Sequence, residues 1–370
     1  MEGLLEPTHL LLLNLLSQLS SVYQQENAQA LLAAQLSQES KALYQNHWKS
    51  ASALSRFLSE SQWTMGPMLL MVQSYLLSQL LRPRGRGRRP DLYVMVDLTS
   101  IEKQGKCKQF RHWLHYFHEC YGMHLVVVYL CCGQQRVPWS MAIYRGKGTT
   151  SPAQLALQLI RQLPAVLQRH YFVQLLADGG FSSKEFLRGL KRLAIPAVVG
   201  CSRSRCLQDG RKLYQLSRRG QQVYLRDLSF PVWVSWLYQK QPNGLYRKRF
   251  VLSTRPLSAA SITRLGALRW RIEAFFKTMK QRFSAARFAF RRLNAVLRWF
   301  FFAWLAYLLT HWVALSHGMD DCPDWQAVAQ HAAEIFFFSL LLNWHEREAQ
   351  RLKAKQHSLP DFDLSAPSLI

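Results

Sequence analysis

Between residues 91 and 200, short apolar runs alternate with stretches of helical pattern, and this order constrains the fold more than any other feature. Three β-rich runs are followed by a helix, a strand, a helix and a further strand. The first run, Leu92–Val96, ends at Asp97, and the run Phe172–Ala177 ends at Asp178. Strands joined through helices are typical of βαβ units, in which a right-handed crossover makes the strands parallel. We therefore predict an α/β core in which the first and fourth strands lie side by side.

Turn and cap residues support this order. Gly133-Gln-Gln-Arg136 separates two β-rich runs and predicts a hairpin. Ser151-Pro152 predicts the start of a helix that runs to Tyr171, because a serine cap followed by proline suits a helix N-terminus. Ser182 or Ser183 is expected to cap the next helix, which runs to about Leu193.

The flanks of this core have other patterns. Residues 1–81 have helical spacing and few Pro or Gly, whereas residues 82–90 hold five Arg, two Gly and two Pro and indicate a tether or an arm that touches phosphates. Alternating segments after Cys201 predict an antiparallel insertion with a turn at Pro242-Asn243-Gly244. The predicted organisation is a helical N-terminal region (1–81), a basic linker (82–90), the first part of the core (91–200), a β-rich insertion (201–258), a helical completion of the core that includes Glu273 (259–318), and a C-terminal helical region and tail (319–370).

Charge indicates the kind of partner. Lys and Arg number 47 against 22 Asp and Glu, which gives a net charge of +25 and a pI near 10.2. Such an excess favours a polyanion, of which nucleic acid is the commonest, over a membrane surface. The apolar stretch Trp299–Leu315 is short for a membrane span and predicts a buried helix. Seven cysteines without a C-x-x-C pair, and an N-terminus without a basic leader, predict a cytoplasmic, nucleoid-associated protein.

The chemistry is expected at three carboxylates. Asp97 and Asp178 would project from one edge of the sheet, where two carboxylates repel unless they share a cation. Mg²⁺ prefers such oxygen ligands, and Mn²⁺ is a possible substitute. Glu273 is the only acidic residue between Asp227 and Asp320, and ten Lys or Arg surround it between Arg264 and Arg298.

Each of these residues also has an ordinary structural interpretation. An Asp after a strand usually caps a turn, and Glu273 could pair with Arg269 or Lys277 on a helix surface. The combination favours phosphoryl transfer, in which metal ions bind the attacking and leaving oxygens while cations hold the strand.

Three segments resemble blocks of the DDE transposases, in particular the insertion-sequence-four-like group of bacterial insertion sequences. Val96–Lys106 is similar to the first-aspartate block, and Leu176–Phe181 to the second. Arg269-Trp-Arg-Ile-Glu273 with Lys280 is similar to the Tyr-Arg-Glu-Lys signature of the group. The tyrosine of the signature falls on Gly266, which is a departure from the pattern.

The resemblance implies an RNase H-like mixed sheet core with a β-rich insertion, flanked by N- and C-terminal helical regions, of which the N-terminal region (1–81) would bind DNA. It implies cleavage at the terminal inverted repeats of a transposon, followed by attack of the freed 3′-hydroxyl on target DNA by a homodimer on double-stranded DNA. Excision in such relatives can pass through a hairpin, with a flipped base held by an aromatic residue of the insertion. The residues expected to contact DNA are Arg269, Lys280, Lys103, Lys277, Trp233 and Trp236. The alternatives are an RNase H-like nuclease that does not join strands, and a non-catalytic DNA-binding protein descended from a transposase.

Overall fold

The structure is a computed structural model that describes residues 3–37, 49–81, 87–103, 108–117, 119–240, 244–319 and 324–338. Several sequence predictions lie wholly or partly outside these residues. They are residues 82–86 of the basic linker, residues 104–106 of the first-aspartate block, Pro242-Asn243 of the predicted turn, and the tail from residue 339.

In the described part of the chain, nine strands form one mixed sheet. The strands are β1 (Asp91–Glu102), β2 (His115–Phe117), β3 (Cys120–Cys132), β4 (Gln135–Tyr144), β5 (Phe172–Ala177), β6 (Ala197–Cys201), β7 (Gln221–Tyr224), β8 (Pro231–Lys240) and β9 (Tyr246–Ser253). Their order across the sheet is β2-β3-β1-β5-β6-β9-β8-β7, and β4 also pairs with β3. The predicted α/β class is confirmed, and the strands and helices predicted in residues 91–200 occur in the predicted order, with one additional strand, β2, that was not predicted.

The first and fourth strands of the predicted series, β1 and β5, are parallel neighbours, as expected from a right-handed crossover. The prediction that the first strand ends at Asp97 is wrong, because β1 continues to Glu102. Its antiparallel partner β3 pairs with it over the whole segment from Tyr93 to Glu102, while β5 accompanies it only as far as Val96. Within the described residues, β1 therefore has no strand partner from Asp97 onward on the side of β5.

The β-rich insertion belongs to the same sheet. Its strands β7, β8 and β9 are antiparallel, as predicted, but β9 also pairs with β6 of the core. The end of β6 lies beside Phe250–Val251 of β9, so the outer half of the β8–β9 hairpin projects past the carboxyl end of β6. This pairing joins residues about 50 positions apart in the chain and could not be read from local patterns.

The helices flank the sheet at both ends of the chain. They are α1 (Leu5–Ser17), α2 (Val22–Ser37), α3 (Ala51–Ser59), α4 (Met65–Leu80), α5 (Pro152–Arg161), α6 (Ala165–His170), α7 (Lys184–Arg192), α8 (Ala259–Leu268), α9 (Trp270–Gln281), α10 (Leu293–Ser316) and α11 (325–338). Ser151 caps α5 and Ser183 caps α7, as predicted. The single helix predicted from Ser151 to Tyr171 is instead two helices, because Pro164 lacks the amide donor that a continuous helix needs.

The helix α10 forms the centre of the helical side of the protein. Within the described residues it is the one helix long and apolar enough to cross a membrane, and 83% of its apolar window is buried inside the protein. The helices α1, α2 and α3 pack against it. The prediction of a buried helix at Trp299–Leu315 is therefore confirmed.

Two arginines tie this helical side together. The Arg298 guanidinium of α10 is buried and donates to the backbone carbonyls of Leu58, Ser61 and Trp63 at the end of α3. Arg282, directly after α9, donates to the carbonyls of Gln35 and Leu36 at the end of α2. The last carbonyls of a helix have no partner within it, so these arginines complete the two helix ends.

Candidate functional site

Asp97 and Asp178 lie next to each other across the β1–β5 pair. The parallel register ends with Val96 opposite Ala177, and each aspartate is the next residue in its strand direction. Asp178 leaves the sheet there, whereas Asp97 stays within β1 opposite Val127 of β3. The two carboxylates are thus placed where β5 ends and β1 loses its partner.

The Asp97 side chain is largely enclosed, with 12% of it exposed. Its Oδ1 accepts the N–H of Leu98 at 2.8 Å, and its Oδ2 accepts an Nη1–H of Arg269 at 3.1 Å. Burial raises the pKa of Asp97 to about 7, with a further increase from the negative charge of Asp178. Arg269 and the Leu98 amide act in the opposite direction, and Glu273 adds a smaller increase. The ionised form of Asp97 is therefore disfavoured first by its burial and then by the nearby carboxylates.

Asp178 is held by the turn that follows β5. Its Oδ1 accepts the N–H of Gly180 at 2.8 Å, and it caps a short 3₁₀ turn over Gly179–Phe181. A Cβ on Gly180 would lie 3.1 Å from Asp178 Oδ1, and a Cβ on Gly200 of β6 would lie 2.8 Å from the Gly179 nitrogen. The glycines therefore allow the turn to pack on β6 and leave room for the carboxylate.

Arg269 and Glu273 come to the site from the junction of two helices. Arg269 is the residue between α8 and α9, and its Nη2 lies 2.5 Å from Glu273 Oε1, one turn further along α9. Through Nη1 the same guanidinium binds Asp97. The Arg269 side chain is 13% exposed, while Glu273 is 50% exposed. Arg269 therefore bridges a buried carboxylate of the sheet and a half-exposed carboxylate of the helix.

The position of α9 is set by aromatic packing on its other face. The Phe275 ring stacks on Tyr129 of β3 at 4.9 Å between centroids and meets Tyr307 of α10 edge-on at 5.0 Å. Ile272 and Phe276 are also buried. These contacts hold Glu273 on the side of α9 that faces the aspartates and solvent.

The three carboxylates do not form a ready metal cluster. Among the described residues, no group of three His, Cys, Asp or Glu is arranged to hold a metal ion. Arg269 supplies the positive charge between Asp97 and Glu273 instead. The donor set nevertheless fits Mg²⁺, since it consists of carboxylate oxygens and the ionised form of Asp97 is disfavoured by burial and by the negative charge of Asp178. Their role as metal ligands stays a prediction.

The lysines predicted to contact DNA differ in their surroundings. Lys277 is exposed on α9. Lys280 is partly buried, and burial lowers its pKa. Lys103 donates to the carbonyls of Ala286 and Phe288 at 3.0 and 2.8 Å and lies over the Phe288 ring. Lys103 thus anchors the segment between α9 and α10, and a DNA contact of any of the three stays a prediction.

The tryptophans predicted for the insertion lie within its sheet. Trp236 is buried against Phe250, beneath Arg219 and Lys248, and Trp233 is partly buried in the middle of β8. Sequence reasoning missed Trp270, which is 47% exposed on the first turn of α9. A helical wheel would have found it, because Trp270, Glu273 and Lys277 share one face of α9. The departure at Gly266 also has a cause: a Cβ there would lie 3.0 Å from Val251.

Comparisons with known proteins indicate the family and the fold of this chain. Residues 89–309 match the family model described as the transposase DDE domain. The structure is similar to a cryo-EM structure of a piggyBac transposase synaptic complex with hairpin DNA, with a TM-score of 0.52 and 11% identity over 93% of this chain and 78% of that one. This likeness supports the predicted RNase H-like fold class. No curated protein gives a significant match. Because the matched segment spans more than half of the sequence and contains all three carboxylates, the chain belongs to the transposases with a DDE domain.

Proposed function

We propose that this transposase cuts DNA at the terminal inverted repeats of a bacterial insertion sequence and joins the freed 3′-hydroxyl to target DNA. In this proposal Asp97, Asp178 and Glu273 bind divalent metal ions, Mg²⁺ or Mn²⁺. The bound ions would supply activation of the attacking oxygen and stabilisation of the leaving oxygen. We also propose membership of the insertion-sequence-four-like group, on the Arg269, Glu273 and Lys280 spacing.

One observation carries the proposal. Asp97 and Asp178 follow the last paired residues of two adjacent parallel strands, and Arg269 links Asp97 to Glu273 on α9. Three carboxylates from distant parts of the chain therefore lie close enough to interact electrostatically, since Asp178 and Glu273 both raise the pKa of Asp97. A structural role alone would not require negative charge to accumulate around a buried aspartate.

The exposed face of α9 supports a contact between this helix and DNA. Trp270, Glu273 and Lys277 share this face, so a strand that reaches Glu273 passes an aromatic ring and a cation. We propose that Lys277 contacts phosphate and that Trp270 stacks on a base beside the scissile phosphate. Arg269 would bind the scissile strand, and Lys280 would add positive charge further along the helix.

The partner and assembly are proposed on broader grounds. The net charge of +25 suits a polyanion, and the similar piggyBac structure is a complex with hairpin DNA. We propose double-stranded DNA as the partner, a homodimer that holds two transposon ends, and action in the cytoplasm.

The test uses the DNA that flanks the gene. A plasmid with both flanks is incubated with the full chain and Mg²⁺ or Mn²⁺, and nicked, excised and joined products are separated on gels. The wild type should give joined product, while Asp97→Asn and Glu273→Gln should lose metal-dependent cleavage by at least about a thousandfold and keep DNA binding. Asp91→Asn is the matched control, since Asp91 lies on the same strand, is exposed, and is six residues from Asp97.

The outcomes separate the alternatives. Cleavage without joined product would favour the nuclease interpretation. Full DNA binding with no metal-dependent chemistry in the wild type, and no effect of Asp97→Asn, would contradict the proposed activity and favour the non-catalytic DNA-binding protein.

A further inference from the structure

The cation at the centre of the carboxylate site is a side chain of the protein itself. Arg269 places one nitrogen 3.1 Å from Asp97 Oδ2 and the other 2.5 Å from Glu273 Oε1. One guanidinium therefore pairs with two of the three carboxylates and supplies a single positive charge between them. Among the described residues, Asp97 and Glu273 have no other ion pair within 4 Å.

The same guanidinium is also suited to a competing partner. A guanidinium binds phosphate in the same two-nitrogen manner in which it binds carboxylates. Glu273 is half exposed, so phosphate can reach the outer side of this bridge without opening the core. Arg269 lies at the junction of α8 and α9 rather than within a helix. Its side chain makes no capping hydrogen bond to the first turn of α9.

We propose that Arg269 is an internal counterion that holds Asp97 and Glu273 together in the absence of DNA and keeps divalent cations out. A DNA phosphate then replaces the two carboxylates as the partner of Arg269, and the released carboxylates become available to the metal. The inference rests on the proposed function in one respect, namely that these carboxylates are the metal ligands. It adds that metal binding depends on DNA.

This exchange makes the two binding equilibria dependent on each other. A group that competes with metal for the carboxylates lowers metal affinity, and any ligand that removes the group restores it. Free protein should therefore bind metal weakly even though its three carboxylates are close. The dependence would limit metal-dependent cleavage to protein that already holds DNA.

The experiment measures Mn²⁺ binding to the full chain without DNA, from the electron paramagnetic resonance signal of free Mn²⁺. Arg269→Gln removes the bridge and should bind Mn²⁺ about tenfold more tightly than the wild type, which is within the usual range of coupling between sites. Arg269→Lys keeps the charge but has a single nitrogen for two carboxylates, so it should give a smaller gain in the same direction. It is also the variant to use if Arg269→Gln does not fold.

Arg264→Gln is the matched control, because it removes an equal charge from exposed surface on α8 and should leave Mn²⁺ affinity unchanged. An Arg269→Gln or Arg269→Lys protein that is folded by circular dichroism and binds Mn²⁺ no better than the wild type would overturn the inference. An equal gain in Arg264→Gln would overturn it too, since net charge alone would then explain the result. Tighter Mn²⁺ binding by the Arg269 variants, in a protein that never cleaves DNA, would refute the proposed function and leave the counterion role standing.

Discussion

Arg269 and Arg298 are both largely enclosed, but they bind different kinds of partner. Arg269 lies at the edge of the sheet and binds two carboxylate side chains. Arg298 lies on the helical side, donates to three backbone carbonyls and stacks over Trp63 at 4.1 Å. Carboxylates can turn to another cation, whereas the carbonyls of Leu58, Ser61 and Trp63 are fixed by the backbone of α3 and of the segment that follows it.

This difference separates a region that is built for exchange from one that is built for stability. At the carboxylate site, negative charge is in excess, and the bridging cation can be replaced. At α10, the arginine satisfies fixed groups, and burial lowers its pKa without nearby acid to compensate. A cation held by carbonyls is expected to matter for folding, and a cation held by carboxylates for metal and DNA binding.

The largest effect is expected from Arg298→Ala. The change removes the guanidinium donor from the carbonyls of Leu58, Ser61 and Trp63 and also removes the stacking on Trp63, so unfolding should become easier by about 3 kcal/mol. Urea denaturation monitored by circular dichroism measures the change.

Arg292→Ala is the control for this effect. Arg292 donates to the carbonyl of Ser59 at 3.2 Å in the same part of the protein, but it is exposed. Its loss should cost less than about 1 kcal/mol. Equal destabilisation by Arg298→Ala and Arg292→Ala would contradict the prediction that an arginine stabilises the fold more when its carbonyl partners are buried.

The next effect, counted for one pH unit, is the pH dependence of stability in metal-free protein. Asp97 has a pKa of about 7 in the folded protein against the usual 3.8, so the folded state holds this proton more tightly than the unfolded state. The contribution is present below pH 3.8 and is lost as pH rises toward 7, by up to about 1.4 kcal/mol for each pH unit in between. Asp97→Asn removes this loss and should be more stable than the wild type at pH 7.

Denaturation midpoints at several pH values between 4 and 8 provide the measurement. Asp91→Asn, on the same strand, should keep the wild-type slope. A constant difference between wild type and Asp97→Asn across this range would show that Asp97 does not titrate there.

The sequence predicted the elements that carry the carboxylates but not all of their pairings. Apolar runs before Asp97 and Asp178 identified two adjacent strands correctly, because strand burial depends on local residue type. The extension of β1 to Glu102 depends on β3, which lies later in the chain, and so its end was misplaced. The union of β9 with β6 is likewise a non-local pairing that no local pattern contains.

The site was predictable to a similar degree. The spacing of Arg269 and Glu273 indicated their contact, since residues four apart in a helix are neighbours. The second contact of Arg269, with Asp97, required the fold. Arg298 carried a signal that went unused: it is a single arginine in the apolar helix α10, and buried cations need specific partners.

A smaller and more local effect is expected from Gly180→Ala. The new Cβ would lie 3.1 Å from Asp178 Oδ1, so the carboxylate must shift by a few tenths of an ångström. Stability should change little because a side-chain tip can move, but metal-dependent cleavage should fall about tenfold because the ligand is displaced. Gly179→Ala is the matched control, since its Cβ would meet atoms no closer than 3.7 Å. Equal loss of cleavage in both variants would contradict this account of Asp178.

The smallest effect is expected at two lysines. As with the two arginines, the groups that each lysine contacts predict whether it matters for binding or for stability. Lys277 is exposed on the face of α9 that bears Glu273, whereas Lys103 donates to the carbonyls of Ala286 and Phe288. Lys277→Gln should weaken DNA binding a few-fold and reduce the dependence of log affinity on log salt by about one, as expected for one lost phosphate contact. Lys103→Gln should leave that slope unchanged and lower the denaturation midpoint instead. Fluorescence anisotropy at several salt concentrations measures the slope. A reduced slope for Lys103→Gln with unchanged stability would contradict the prediction, because a lysine bound to backbone carbonyls would then contact DNA.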